Sequence, residues 1–168
     1  MTTIEHLNAA PLDVFVAEIG FAFEDSPWIA RAAAAARPFA DRVALHAAMV
    51  GIVAAASEAE QVALIAAHPD LAGRVAREGR LTAASAAEQA GAGLGALSPD
   101  EIARFDADNG AYRARFGFPF VICARENTKA SILDALARRR ANDRATDIAT
   151  ALAEIAKIAR LRIEDAVN

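Results

Sequence analysis

Ile102, Phe105, Asn109, Tyr112 and Phe116 recur at intervals of 3, 4, 3 and 4 residues, and Ile148, Leu152, Ile155, Ala159 and Ile163 repeat the pattern. That spacing aligns side chains on one face of a helix and cannot be accommodated by a strand, whose faces alternate every second residue. Most of the intervening chain is alanine, the best helix former and a poor strand former. Apolar residues make up 55% of the 168 residues but aromatics only 6%, which suits closely packed helices. The reading is an all-α fold, a single-domain helical bundle spanning 1–168 with about seven or eight helices.

Helix starts reinforce it. Ser57-Glu58-Ala59-Glu60 and Ser98-Pro99-Asp100-Glu101 are capping boxes, the second with proline in the first turn, and Ser26-Pro27-Trp28 pairs a capping hydroxyl with the same proline position. Val43 to Ala56 is nearly free of charge and reads as a buried central helix. Only Phe118-Pro119-Phe120-Val121-Ile122-Cys123 looks strand-like; with a proline and no pairing partner it is expected to cross the bundle as one short extended segment.

A net charge of −4 argues against nucleic acid as a partner. No uninterrupted apolar stretch reaches membrane-spanning length, so no membrane partner is expected. One cysteine, Cys123, excludes an internal disulfide and fits a reducing compartment. With no secretory leader in the amino-terminal residues, the expected location is cytoplasmic. His6 and His46 lack partners at ligand spacing, so no metal site is expected. Arg138-Arg139-Arg140 reads as a solvated helix end.

Chemistry gathers where the helical periodicity breaks. His68 closes an apolar helix and precedes Pro69, which pushes it out of helical geometry. An imidazole at the negative end of a helix dipole suits a proton donor or an anion partner, and equally a cap on the last carbonyls. Ser85, Glu88 and Gln89 share one face among small residues, and Glu88 is the lone charge between Leu81 and Pro99. That face is either a site or a solvated surface. The backbone N–H groups of the extended segment could hold anionic or carbonyl oxygens, and Arg125 at its end could clamp a carboxylate or simply face solvent. Asn109, inside an aromatic seam, is expected to satisfy loop backbone.

In this order the motifs resemble the 2-oxo-4-hydroxy-4-carboxy-5-ureidoimidazoline (OHCU) decarboxylases of urate degradation. The resemblance is carried by Phe23-Glu24-Asp25-Ser26-Pro27-Trp28 with Arg37-Pro38-Phe39, by His68-Pro69-Asp70-Leu71-Ala72-Gly73, and by Ser85 through Gln89. Asn109 through Phe120, Asn142-Asp143, Glu154-Ile155-Ala156 and Arg160-Leu161-Arg162-Ile163 complete it. It implies a cofactor-independent lyase, usually a homodimer, that decarboxylates this small-molecule substrate to (S)-allantoin. His68, Glu88 and Arg125 would be the catalytic residues, with Pro69, Ser85, Gln89, Val121 and Ile122 as substrate-binding positions. The competing readings are a non-catalytic helical module gripping a small ureido or carboxylate ligand, and a purely structural protein using its apolar helices as a dimer surface.

Overall fold

The structure is a computed structural model describing residues 1–168, apart from the side chain of Val75. Among the described residues it is all-α. Its helices are α1 (Ile4–Ala9), α2 (Leu12–Ile19), α3 (Pro27–Ala33), α4 (Arg42–Ala55), α5 (Glu58–Ala66), α6 (Arg74–Arg77), α7 (Ala83–Gly91), α8 (Pro99–Phe116), α9 (Lys129–Arg139) and α10 (Arg144–Ala166). Short 3-10 turns occupy Gly20–Ala22, Ala34–Ala36 and Ala124–Glu126. The helices outnumber the seven or eight expected because α1 and α6 have six and four residues, too few to show a period.

The chain divides into two compact units, one of residues 1–67 with 156–168 and one of residues 68–155, so that α10 contributes to both. In the first unit the chain ends are clasped: Thr2 and Val167 form a parallel bridge, and the Thr2 N–H donates to the Ala166 carbonyl at 2.9 Å. The Arg37 guanidinium fills the carboxyl end of α1, donating to the Ala10 carbonyl at 2.6 Å and the Leu7 carbonyl at 3.3 Å, while lying 5.1 Å from the Phe15 ring. Arg162 and Glu24 form a buried ion pair at 2.8 Å. Both belong to segments singled out in the sequence, and here they hold the unit together.

Two expectations for this unit need correction. Ser26 precedes Pro27 at the start of α3 as expected, but its side chain makes no capping hydrogen bond; a backbone ψ of 57° takes it out of the extended geometry that caps use. And α4 is not buried all round: Leu45, Met49 and Val53 form one buried stripe, while Val43 is 69% exposed. Lack of charge alone misread it, because small apolar residues are tolerated on a solvent face.

In the second unit the capping box of Ser98 and Glu101 starts α8, and Gly117, at φ +79°, ends it in the left-handed conformation. Phe105, Asn109, Tyr112 and Phe116 are buried as their spacing requires. Tyr112 meets Phe116, Phe120 and Phe118 at ring distances of 4.6, 5.3 and 6.3 Å. After Gly117 the chain runs extended and unpaired through Cys123, as the sequence leads one to expect.

This aromatic cluster encloses a charge. Arg139, the middle of the arginine run, is buried, which corrects its reading as part of a solvated helix end. Its Nε and Nη2 donate to the two carboxylate oxygens of the fully buried Asp147 at 3.0 and 3.2 Å, Nη2 also to the Tyr112 hydroxyl at 3.1 Å, and Nη1 to the Val121 carbonyl at 2.5 Å. Its neighbours Arg138 and Arg140 are exposed. Removing one partner of a buried pair strands the other charge, at a cost of about 3–5 kcal/mol. R139M should therefore lower the free energy of unfolding by about that much in chemical denaturation. R140M, which removes an exposed contact to Asp108 at 3.6 Å, should cost less than about 1 kcal/mol. Equal losses would contradict the burial difference between the two.

Candidate functional site

All eight predicted site residues lie in the second unit, on three pieces of backbone. The first is the loop 68–73, which begins just beyond Ala67, the C-cap of α5. It has no regular structure, so side chains from three helices satisfy it. The Ala72 N–H donates to Oε1 of Gln89 on α7 at 2.9 Å, the Leu71 carbonyl accepts from Asn109 of α8 at 3.0 Å, and the Ala72 carbonyl accepts from Arg77 of α6 at 2.7 Å. Arg77 is itself gripped by Asp106 through two 3.0 Å bonds, and Asp70 accepts from Nε of Arg113 at 3.0 and 3.1 Å. Asn109 thus plays the backbone-satisfying role its place in the seam suggested.

The turn inside this loop is tight. Ala72 sits at φ +53°, and a Cβ on Gly73 would lie 2.7 Å from the Cβ of Asp70. His68, at the head of the loop, is 6% exposed. It has an interaction partner within the protein; the buried atom that makes no hydrogen bond is its Nε2. Pro69 is half-buried beside it.

The second piece is α7, started by Thr82, whose side chain accepts from the Ser85 N–H at 3.3 Å. Ser85 and Gln89 are buried and Glu88 half-buried, so this is not a solvated face. Because Ala72 donates to Gln89, the accepting atom must be the amide oxygen, and this fixes the side chain's orientation. Nε2 of Gln89 takes no acceptor among the described residues.

The third piece is the extended segment and the 3-10 turn after it, against which α7 packs. Val121 and Ile122 are buried. Among the described residues neither of their N–H groups donates to a protein acceptor, whereas the Cys123 N–H donates to Glu154 at 2.9 Å. Two adjacent N–H groups of buried residues are thus without a protein acceptor among the described residues. Arg125 stands exposed on the turn. Burial pushes the Cys123 thiol up, and the carboxylates of Glu126, Glu154 and Glu88 add to the shift. Cys123 is therefore a neutral thiol at pH 7, and Glu88 lies within electrostatic reach of this segment.

The structure brings the three pieces together through α7: Gln89 bonds the His68 loop, and the same helix packs on the Arg125 turn. A separate cleft of about 310 Å³ on the flank of α7, lined by Ala72, Arg77, Ala86, Leu94 and Ile102 among others, shares only Gln89 with the predicted site residues. It is not where the motifs meet. The sequence reading gave no site role to Arg139 or Glu154, the side chains that hold the extended segment. Arg139 was hidden in a basic run and Glu154 in a regular helix; the signal available was a lone unpaired strand-like segment needing partners.

The chain matches the OHCU decarboxylase family over residues 8–164. It is 42% identical over 162 residues to a human protein named as a putative OHCU decarboxylase, covering 96% of this chain and 94% of that one. It is 40% identical over 165 residues to the OHCU decarboxylase of Amia calva, covering 98% and 94%. Among solved structures it is similar to an (S)-allantoin synthase at a TM-score of 0.79 and 28% identity, covering all of this chain and 54% of that one, so it spans about half of that protein's length. The fold is also that of an OHCU decarboxylase crystallised with (S)-allantoin, at a TM-score of 0.68 and 23% identity over 82% of this chain and 89% of the other.

The tightness of the loop is testable. G73A should force the Asp70 contact apart and cost about 1–3 kcal/mol in chemical denaturation. An unfolding midpoint equal to the parent's would show that the turn at 70–73 is looser than its geometry indicates.

Proposed function

This chain belongs to the OHCU decarboxylase family, and we propose that it catalyses the decarboxylation of OHCU to (S)-allantoin in urate degradation, without a cofactor. The observation that carries the site assignment is the convergence on α7, which joins the His68 loop through Gln89 and packs on the turn bearing Arg125.

The chemistry follows from what the residues offer. Breaking the bond to the carboxylate releases CO2 and leaves an electron pair that the adjacent C=N of the substrate accepts, so the substrate is its own electron sink. One proton must then be delivered to one face to give a single enantiomer. His68 is assigned to the substrate's hydroxyl or carboxylate and to proton handling, with Pro69 shaping the pocket wall beside it. Glu88 orients His68 or a ureido nitrogen. Arg125 and the Nε2 of Gln89 hold carbonyl groups, and the N–H groups of Val121 and Ile122 are donors for further oxygens as charge develops on them. Ser85, buried one turn before Gln89, completes the binding face. The reading treats residues 1–168 as one functional domain, working as a homodimer in the cytoplasm. No single helix among the described residues is long and apolar enough to cross a membrane.

The test is circular dichroism of the product, with OHCU generated in place from urate by urate oxidase and hydroxyisourate hydrolase. The protein should speed growth of an (S)-allantoin signal, and H68A should slow it by about 10²-fold or more. No acceleration by folded protein would remove the decarboxylase reading and leave the ligand-binding module. Undiminished stereospecific turnover in H68A would remove His68 from the chemistry. Gln89 gives an independent check. In Q89E a carboxylate oxygen still accepts from Ala72 but the donor is gone, so KM of the folded protein should rise about tenfold, while the buried charge lowers stability. A parental KM would show that Gln89 serves the loop alone.

A further inference from the structure

The segment that presents the Val121 and Ile122 N–H groups belongs to no helix and pairs with no strand, so beyond the packing of its apolar side chains its position is set by what grips its other polar groups. Three grips are visible. Arg139 holds the Val121 carbonyl at 2.5 Å. Glu154, half-buried on α10, accepts the Cys123 N–H at 2.9 Å. The Cys123 carbonyl accepts from the Glu126 N–H at 3.1 Å and from Nδ2 of Asn127 at 2.9 Å, which begins the turn carrying Arg125. These grips differ in kind. Arg139 belongs to the buried core of the unit, and the Cys123 carbonyl is held mainly from within its own turn. Among the described residues Glu154 is the side chain that anchors an amide of the segment to another helix, one residue beyond the two N–H groups.

We infer that Glu154 is a positioning residue for substrate binding: by holding the Cys123 N–H against α10 it fixes the carboxyl-side peptide of Ile122 and so helps set the direction in which the Ile122 N–H points. The inference rests on the proposed decarboxylase function and adds to it a residue that makes no substrate contact. Arg139 orients the Val121–Ile122 peptide, whose N–H is that of Ile122, and Glu154 orients the Ile122–Cys123 peptide that follows, so Ile122 is clamped on both sides. Without Glu154 one side of that clamp is lost, and the Ile122 N–H is held by the single Arg139 bond to its own peptide. Donors held for an oxygen lose effect quickly when misplaced, since a hydrogen bond weakens steeply with angle. The loss should fall on binding. A purely structural role would instead lower the fraction of folded protein and leave KM untouched.

The experiment compares E154A, E154Q and E154D with the parent in the circular dichroism assay, with folding followed by thermal unfolding. E154A should raise KM about tenfold while kcat of the folded protein stays within about threefold. E154Q, whose amide oxygen can accept from Cys123, should restore KM to within about threefold of the parent. E154D, one methylene short, should resemble E154A, and it carries the test if E154A does not fold. A parental KM in folded E154A or E154D would overturn the positioning role while leaving the decarboxylase reading intact. Failure of E154Q to restore KM would overturn it too. An inactive parent would sink the decarboxylase reading, and the positioning role with it.

Discussion

The interaction on which the second unit depends is the buried pair of Arg139 and Asp147. Taking two charges out of water costs several kcal/mol each, recovered only where geometry is good and every donor is used. Here the carboxylate accepts from two guanidinium nitrogens and from Nδ2 of Asn142 at 3.2 Å, and two further guanidinium N–H groups go to Val121 and Tyr112. The guanidinium carbon lies 4.7 Å from the Phe120 ring centroid. Burial pulls Arg139 down to about 10 and pushes Asp147 up to about 6, so both stay charged at neutral pH. Lysine could not substitute: an ammonium is a point charge, and this site uses a planar fork to join α8, α10 and an extended segment at one position.

The same logic governs the loop 68–73. In an all-helical protein the backbone that can serve a ligand is the backbone outside the helices, and its polar groups must be satisfied by something other than a ladder. The loop is held by Gln89, Asn109, Arg77 and Arg113; the extended segment is held by Arg139 and Glu154. Helices here supply side chains that fix non-helical backbone, and that backbone carries His68 at one place and two open N–H groups at the other.

This explains which parts of the molecule were legible in the sequence. Helix faces and capping boxes depend on residues three and four apart, so Phe105, Tyr112 and Phe116 and the boxes at Ser57 and Ser98 could be read directly. The candidate site residues stood out because polar groups at breaks in periodicity have no packing reason to be there. Long-range grips leave no such mark. Nothing local separates Arg139 from Arg138 and Arg140, yet one is buried and two are exposed. Glu154 looks like any charged residue on an amphipathic helix until Cys123, 31 residues away, is placed against it. The exposed flank of α4 failed for the converse reason: absence of charge is a weak signal where the residues are small.

The arrangement also has a polarity that follows from its structural bonds. Gln89 could act as donor or acceptor toward a ligand, but its oxygen is committed to Ala72, so it acts as a donor. The Val121 carbonyl is committed to Arg139, so that peptide offers the segment's N–H edge. Arg125 can only donate. On the proposed reading the bonds that build the site have therefore removed acceptors from it, leaving Glu88 as the chief acidic group. A donor-rich site favours a substrate crowded with carbonyl and carboxylate oxygens, and it favours most the state in which leaving CO2 shifts negative charge onto the ring that remains. The framework hydrogen bonds thus hold the chain in shape and also decide which sign of charge the pocket welcomes.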